Sequence, residues 1–95
     1  MILMETKKKT QVWASRKNIA EIFGYKNPSE LLKNFRELDP EIFHPYKPFV
    51  KNTGMDTMYS IICFAYYYEN RDLIEAGSRS ISFEKELPRL KEIYG

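Results

Sequence analysis

Apolar residues recur at helical spacing in two neighbouring stretches of the first half of the chain. Ile19, Ala20, Ile22 and Phe23 fall on one face of a short helix, and Leu31, Leu32, Phe35 and Leu38 fall at i, i+1, i+4 and i+7 of a second. The polar residues around them supply start and stop signals. Ser15 is a suitable N-cap, because its hydroxyl can accept from an orphan amide of the first turn, and Gly24 stands where a left-handed residue ends a helix without a Cβ penalty. Asn27 can cap the next helix, Pro28 fits its first position, and Glu30 is placed to close a capping box. Residues 15–36 therefore predict two short helices joined by a tight turn.

The flanking patterns are of other kinds. Residues 10–14 alternate as a short strand does, with Trp13 expected to anchor the core. Asp39-Pro40 opens a single helical turn through Phe43. Pro45 and Pro48 rule out a central strand and tolerate an edge strand, while Asn52-Thr53-Gly54 is a turn, so residues 45–59 read as a β-hairpin wing with 55–59 as its return strand. Residues 60–77 are rich in β-branched and aromatic side chains. Yet Ile62, Ala65, Glu69, Leu73 and Ala76 continue a helical row, Arg71 and Glu75 are spaced as an i,i+4 pair, and Gly77 lies at a C-terminal cap. Length favours the helix, and on a helix Tyr66, Tyr67 and Tyr68 point about 100° apart. At least one of these tyrosines is then partly exposed, which marks the three as an interaction surface. Residues 79–83 alternate as a last strand or an extended arm, and Leu87, Leu90, Ile93 and Tyr94 have helical spacing with Pro88 near the helix start. The expected architecture is α+β and mostly α: a frayed tail over residues 1–9 and one domain over 10–95.

Composition narrows the function classes. The chain has 95 residues, 43% of them hydrophobic and 15% aromatic, enough for one core and too few for two. The net charge of +2 is small, but it is unevenly placed. Residues 1–51 hold ten Lys/Arg against six Asp/Glu, and residues 52–95 hold five against seven. A basic first half suits a protein that meets a polyanion with one side, and a solvated surface of uneven composition accounts for the asymmetry equally well. Cys63 is the one cysteine and sits in an apolar run, so it reads as a small buried hydrophobe. No membrane-length apolar run and no signal-peptide pattern occur, which points to a cytoplasmic protein. The four glycines stand singly at 24, 54, 77 and 95, His44 is the one histidine, and the carboxylate pairs Glu84/Glu86 and Glu69/Asp72 read as solvated. A non-catalytic protein without metal or cofactor is expected.

Cations gather on the outer side of the helix pair. Ser29, Lys33 and Arg36 lie opposite the apolar face of the second helix, with Lys26 and Asn27 at its N-terminus and Arg16 and Lys17 opening the first. Lys47, Lys51 and Asn52 fall on the hairpin and its tip, and Glu30 and Glu37 weaken the local field. The order of strand, helix pair with Ile19-Ala20-Glu21-Ile22-Phe23-Gly24, proline-bearing hairpin and following helix resembles the small phage and mobile-element winged-helix proteins of the excisionase and MerR-like group. The resemblance covers roughly residues 11–77. It implies a winged helix-turn-helix with additional C-terminal helices, the second helix in the major groove of duplex DNA and the hairpin on the minor groove or backbone, in a transcription regulator or an architectural factor of excision. Lys26, Asn27, Ser29, Lys33 and Arg36 would then be groove contacts, and Lys51 and Asn52 wing contacts. Two further readings stand beside it. One is a protein-interaction module, of the phage-inhibitor or accessory-subunit kind or a homodimer, using an exposed tyrosine among 66–68. The other is a single-strand binder in a replication complex, with such a tyrosine as a stacking platform.

Overall fold

The computed structural model describes residues 12–51, 57–78 and 80–94. Strand β1 (Trp13–Ala14) leads into helix α1 (Arg16–Phe23), and helix α2 (Ser29–Arg36) follows. A 3₁₀ turn (Pro40–Phe43), strands β2 (Phe49–Val50) and β3 (Met58–Ser60), and helices α3 (Ile61–Glu75) and α4 (Phe83–Tyr94) complete the order. The three strands form one antiparallel sheet in the order β1-β3-β2, so the molecule is α+β and mostly helical. Tyr59 is central, facing Ala14 on one side and Phe49 on the other. Pairing of β2 with β3 gives the expected hairpin. Its tip, Asn52 included, and the tail at residues 1–9 lie outside the described residues.

The start and stop signals of α1 operate as the sequence implies. Ser15 Oγ accepts from the Asn18 amide at 3.2 Å. Gly24 has φ 78°, and the Tyr25 amide behind it reaches the Ala20 carbonyl at 2.9 Å. At α2 the expected capping box does not form. Pro28 occupies the cap position with no side-chain bond, and Asn27, one residue earlier, accepts from the Ser29 amide at 3.1 Å. Glu30 is left in the first turn without a capping role. Asp39 caps the 3₁₀ turn through the Glu41 amide at 3.0 Å, as its Asp-Pro start suggests.

β3 passes into α3 with no loop between them. Ser60 belongs to both: its backbone pairs with Trp13, its amide donates to the Pro48 carbonyl at 2.9 Å, and its side chain caps α3 by accepting from the Cys63 amide at 3.4 Å. Residues 61–67 are then all buried, so the first two turns of α3 run through the middle of the core. A helix that is apolar all round has to be enclosed on every side. Phe35 of α2 meets the rings of Phe43, Phe64 and Tyr67 with centroids 5.3, 5.4 and 5.6 Å away. Phe83 of α4 meets Phe43, Tyr46 and Tyr66 at 5.7, 5.8 and 5.3 Å. Phe23 of α1 lies 5.0 Å from Phe64.

Several expectations are corrected. Trp13 is half-buried and Ala14 is the core residue of β1. Ile22 leaves the apolar face of α1 and is 48% exposed. α3 is kinked at Asn70 (φ −123°, ψ 24°), whose side-chain amide donates to the Tyr66 carbonyl at 3.0 Å. Glu75 does not pair with Arg71; it accepts from the Tyr67 hydroxyl at 2.9 Å. Gly77 (φ 73°) and Ser78 close α3 by donating to Ile74 and Leu73, as expected of a terminal glycine. Among the described residues no strand follows. α4 starts at Phe83, which places Pro88 inside the helix with its ring exposed, where it has no N–H to donate to the Glu84 carbonyl. Among the described residues no helix is long and apolar enough to cross a membrane.

Phe35→Ala should destabilise the protein by about 3–5 kcal/mol in chemical denaturation, because the ring joins α2 to α3 and to the 3₁₀ turn. Burial pushes the Cys63 thiol from its ordinary 9.0 up to about 12, so its contribution to stability is complete below pH 9 and is lost as pH rises towards 12. Denaturation midpoints should therefore start to fall above pH 9, and Cys63→Ala should remove that fall between pH 9 and 10.

Candidate nucleic-acid interface

α1 opens with two cations and has no acidic residue in its first turn. That end carries the positive pole of the helix dipole, so Arg16 and Lys17 are placed against the local electrostatic preference by a few tenths of a kcal/mol each. A break of this kind without local compensation is expected at a site that serves a ligand. The position favours an anion arriving from outside, where two side chains and the dipole attract it together.

Neither cation is isolated from the rest of the fold. Arg16 Nη1 donates to Ser29 Oγ at 2.7 Å, tying the start of α1 to the start of α2. Arg16 and Lys17 also stand between two shallow grooves. One, of about 310 Å³, is completed by Ser15, Thr57 and Tyr59, and the other, of about 470 Å³, by Ala20, Lys26, Asn27 and Pro28. The start of α2, the start of α1 and the start of β3 thus form one strip.

Lys33 and Arg36 are exposed near the C-terminal end of α2, where cations also suit the dipole, so their placement alone has a structural explanation. Arg36 is held further. Its Nη1 donates at 2.7 Å to the hydroxyl of Tyr59, a residue only 3% exposed. Both arginines are therefore held by hydroxyl oxygens. Among the described residues the ion pairs are Arg89 with Glu69 and Glu86, each at 2.7 Å and far along the chain in α3 and α4. Glu30 and Glu37 are exposed and pair with none of the cations of the strip.

Of the residues singled out from the sequence, Arg16, Lys17, Lys26, Asn27 and Ser29 come together, with Arg36 joined to them through Tyr59. Lys33 lies one turn before Arg36 on the same helix. Lys47 is exposed before β2, with its carbonyl 3.7 Å from Cys63 Sγ, and Lys51 is exposed just beyond β2. Asn52 lies outside the described residues. Tyr59 was missed, since its partner is 23 residues away in the chain and no local spacing signals the bond.

The tyrosine surface is corrected. Tyr66 and Tyr67 are 2% and 0% exposed, and only Tyr68, at 41%, reaches the surface. Burial, followed by the bond to Glu75, pushes the Tyr67 hydroxyl well above its ordinary value. Tyr68 packs on Phe23 at 5.2 Å and Tyr25 at 5.7 Å, and shares a groove of about 500 Å³ with Tyr25 and Leu73. A further groove of about 390 Å³ is lined by Glu41, His44 and Glu84 together with Ile74, Ile81 and Phe83. Among the described residues no group of three His, Cys, Asp or Glu side chains is arranged to hold a metal ion. Compared with protein-family models, with curated proteins and with solved structures, the chain has no match.

Tyr66→Ala and Tyr67→Ala should each cost about 3–5 kcal/mol, as for other fully buried aromatic rings, whereas Tyr68→Ala should cost about 1 kcal/mol. Urea midpoints of the three variants at one pH give the comparison.

Proposed function

We propose that this protein is a non-catalytic winged-helix protein that binds duplex DNA, as a regulator or as an architectural factor of mobile-element excision. The observation that carries the reading is the strip at Arg16, Lys17, Lys26 and Arg36, which has no carboxylate partner among the described residues and opens on the positive end of α1. Phosphate is the anion such a strip suits, because each neutralised phosphate releases counterions and because helix N-termini present amides to it.

The order of helix pair and hairpin supports a division of roles. α2 presents Ser29 and Lys33 on the side away from Leu31 and Phe35, which suits insertion in a major groove with Lys26 and Asn27 at its leading end and Arg36 at its flank. Arg16 and Lys17 suit the backbone beside it. Lys47 and Lys51 flank β2, where a wing meets the minor groove or the neighbouring phosphates.

A second reading rests on a separate surface. Tyr68, Leu73, Ile22 and Ile93 are large apolar side chains with 41, 43, 48 and 57% exposure, and the first two share one groove. A protein-interaction module would use such a face, with the basic strip serving solubility.

A gel shift on a mixed-sequence duplex at low salt separates the readings. Binding should weaken steeply with salt, and Lys33→Ala/Arg36→Ala should weaken it at least tenfold and lower the salt slope by about 2. No binding at low salt rejects the DNA reading. Preference for the single strand transfers it to the replication class, and loss of a partner or dimer on Tyr68→Ala with flat DNA titrations supports the interaction module.

A further inference from the structure

We propose that Tyr59 is a positioning residue that fixes the Arg36 guanidinium at the junction of α2 and the sheet, so that Arg36 grips a backbone phosphate and does not read a base edge. The inference rests on the DNA reading above and assigns a role within it to a residue that touches no DNA.

The geometry is that of a braced cation. Tyr59 lies at the centre of the sheet, paired on both sides, and its ring is packed against Phe35 and Phe49 with centroids 6.3 and 6.4 Å away. Its hydroxyl accepts from Arg36 Nη1 at 2.7 Å. A guanidinium has five N–H donors in a rigid plane, and this bond uses one of them. The edge formed by Nε and Nη2 is left for a second partner, and its two parallel donors match a phosphate or carboxylate.

Bracing decides which role Arg36 can take. A base-reading arginine extends from the outer face of its helix into the groove, whereas Arg36 is drawn sideways from α2 to the strand that supports the hairpin. Its free edge then lies where the sheet approaches the helix, and a strand of DNA following the groove beside α2 presents its phosphates there. Tyr59 also lines the groove that holds Arg16 and Lys17, so the braced cation extends the strip and is not a separate patch. An unbraced arginine loses rotamer freedom when it binds, and the tyrosine removes that cost beforehand.

Tyr59→Phe deletes the oxygen and keeps the ring, which makes it the informative variant. Fluorescence anisotropy with a mixed-sequence duplex should give a loss of about three- to tenfold for Tyr59→Phe, the net worth of one ordinary hydrogen bond. The melting temperature should stay near that of the unsubstituted protein. Arg36→Ala should weaken binding at least as much and equally across unrelated sequences, and adding Tyr59→Phe to Arg36→Ala should change nothing more. Nitrogen NMR of the free protein supplies a readout without DNA: slowed rotation about the Arg36 Cζ–Nη1 bond, lost in Tyr59→Phe. The inference is overturned if Tyr59→Phe binds like the unsubstituted protein, if its effect persists undiminished without Arg36, or if Arg36→Ala weakens one sequence selectively. Failure of the unsubstituted protein to bind any duplex, with the slowed rotation still present, rejects the DNA reading itself and this role with it.

Discussion

A helix that is apolar on every side imposes the arrangement of everything around it. Residues 61–67 of α3 are buried without exception, so α1, α2, the 3₁₀ turn and α4 each have to supply one wall. The aromatic rings show how the walls are set: Phe23, Phe35 and Phe83 reach inward from three different helices, and all contact side chains of α3. Such edge-to-face contacts add about 0.5–1.5 kcal/mol each beyond the burial of area, and they also fix angles. The outer face of α2 is aimed by this means, since Phe35 cannot turn without opening a void beside Phe43 and Phe64.

The electrostatics of the outer side follow a different logic. Where α3 and α4 meet, Arg89 is shared between two glutamates, the ordinary solution for a surface cation. On the helix pair, Arg16 and Arg36 are bound instead to hydroxyls. A hydroxyl orients a guanidinium without neutralising it, so orientation is gained and the field is kept. Two arginines on neighbouring helices are thus treated alike, and Lys17 and Lys26 line the same groove as the first of them.

Much of the fold was legible because its signals are local. Ser15, Gly24, Asp39 and Gly77 act within one turn of where they stand, and the apolar row of α2 is uninterrupted. The misreadings occurred where tertiary context outweighs local pattern. One of the three consecutive tyrosines, Tyr68, is exposed as expected, but Tyr66 and Tyr67 do not join it in a surface because α3 has core on several sides. Trp13 is large enough to anchor a core, but β1 is an edge strand and the inward position fell to Ala14. Asn27 looked like a cap and acts one residue too early, since Pro28 takes the cap position. In the candidate site, the cations were legible from helical spacing. The hydroxyls that hold them were not: Arg16 and Ser29 are 13 residues apart, and Arg36 and Tyr59 are 23.

The absence of a loop between β3 and α3 has a mechanical meaning. A loop acts as a hinge, and Ser60 replaces it with a residue locked by strand pairing on one side and by a helix cap on the other. The sheet and the central helix are therefore a single stiff member, like a bracket whose two arms cannot be flexed separately. Any load placed on the sheet through Arg36 and Tyr59 passes along that member into the middle of the core. The outer strip and the inner packing are, in this sense, two ends of one lever.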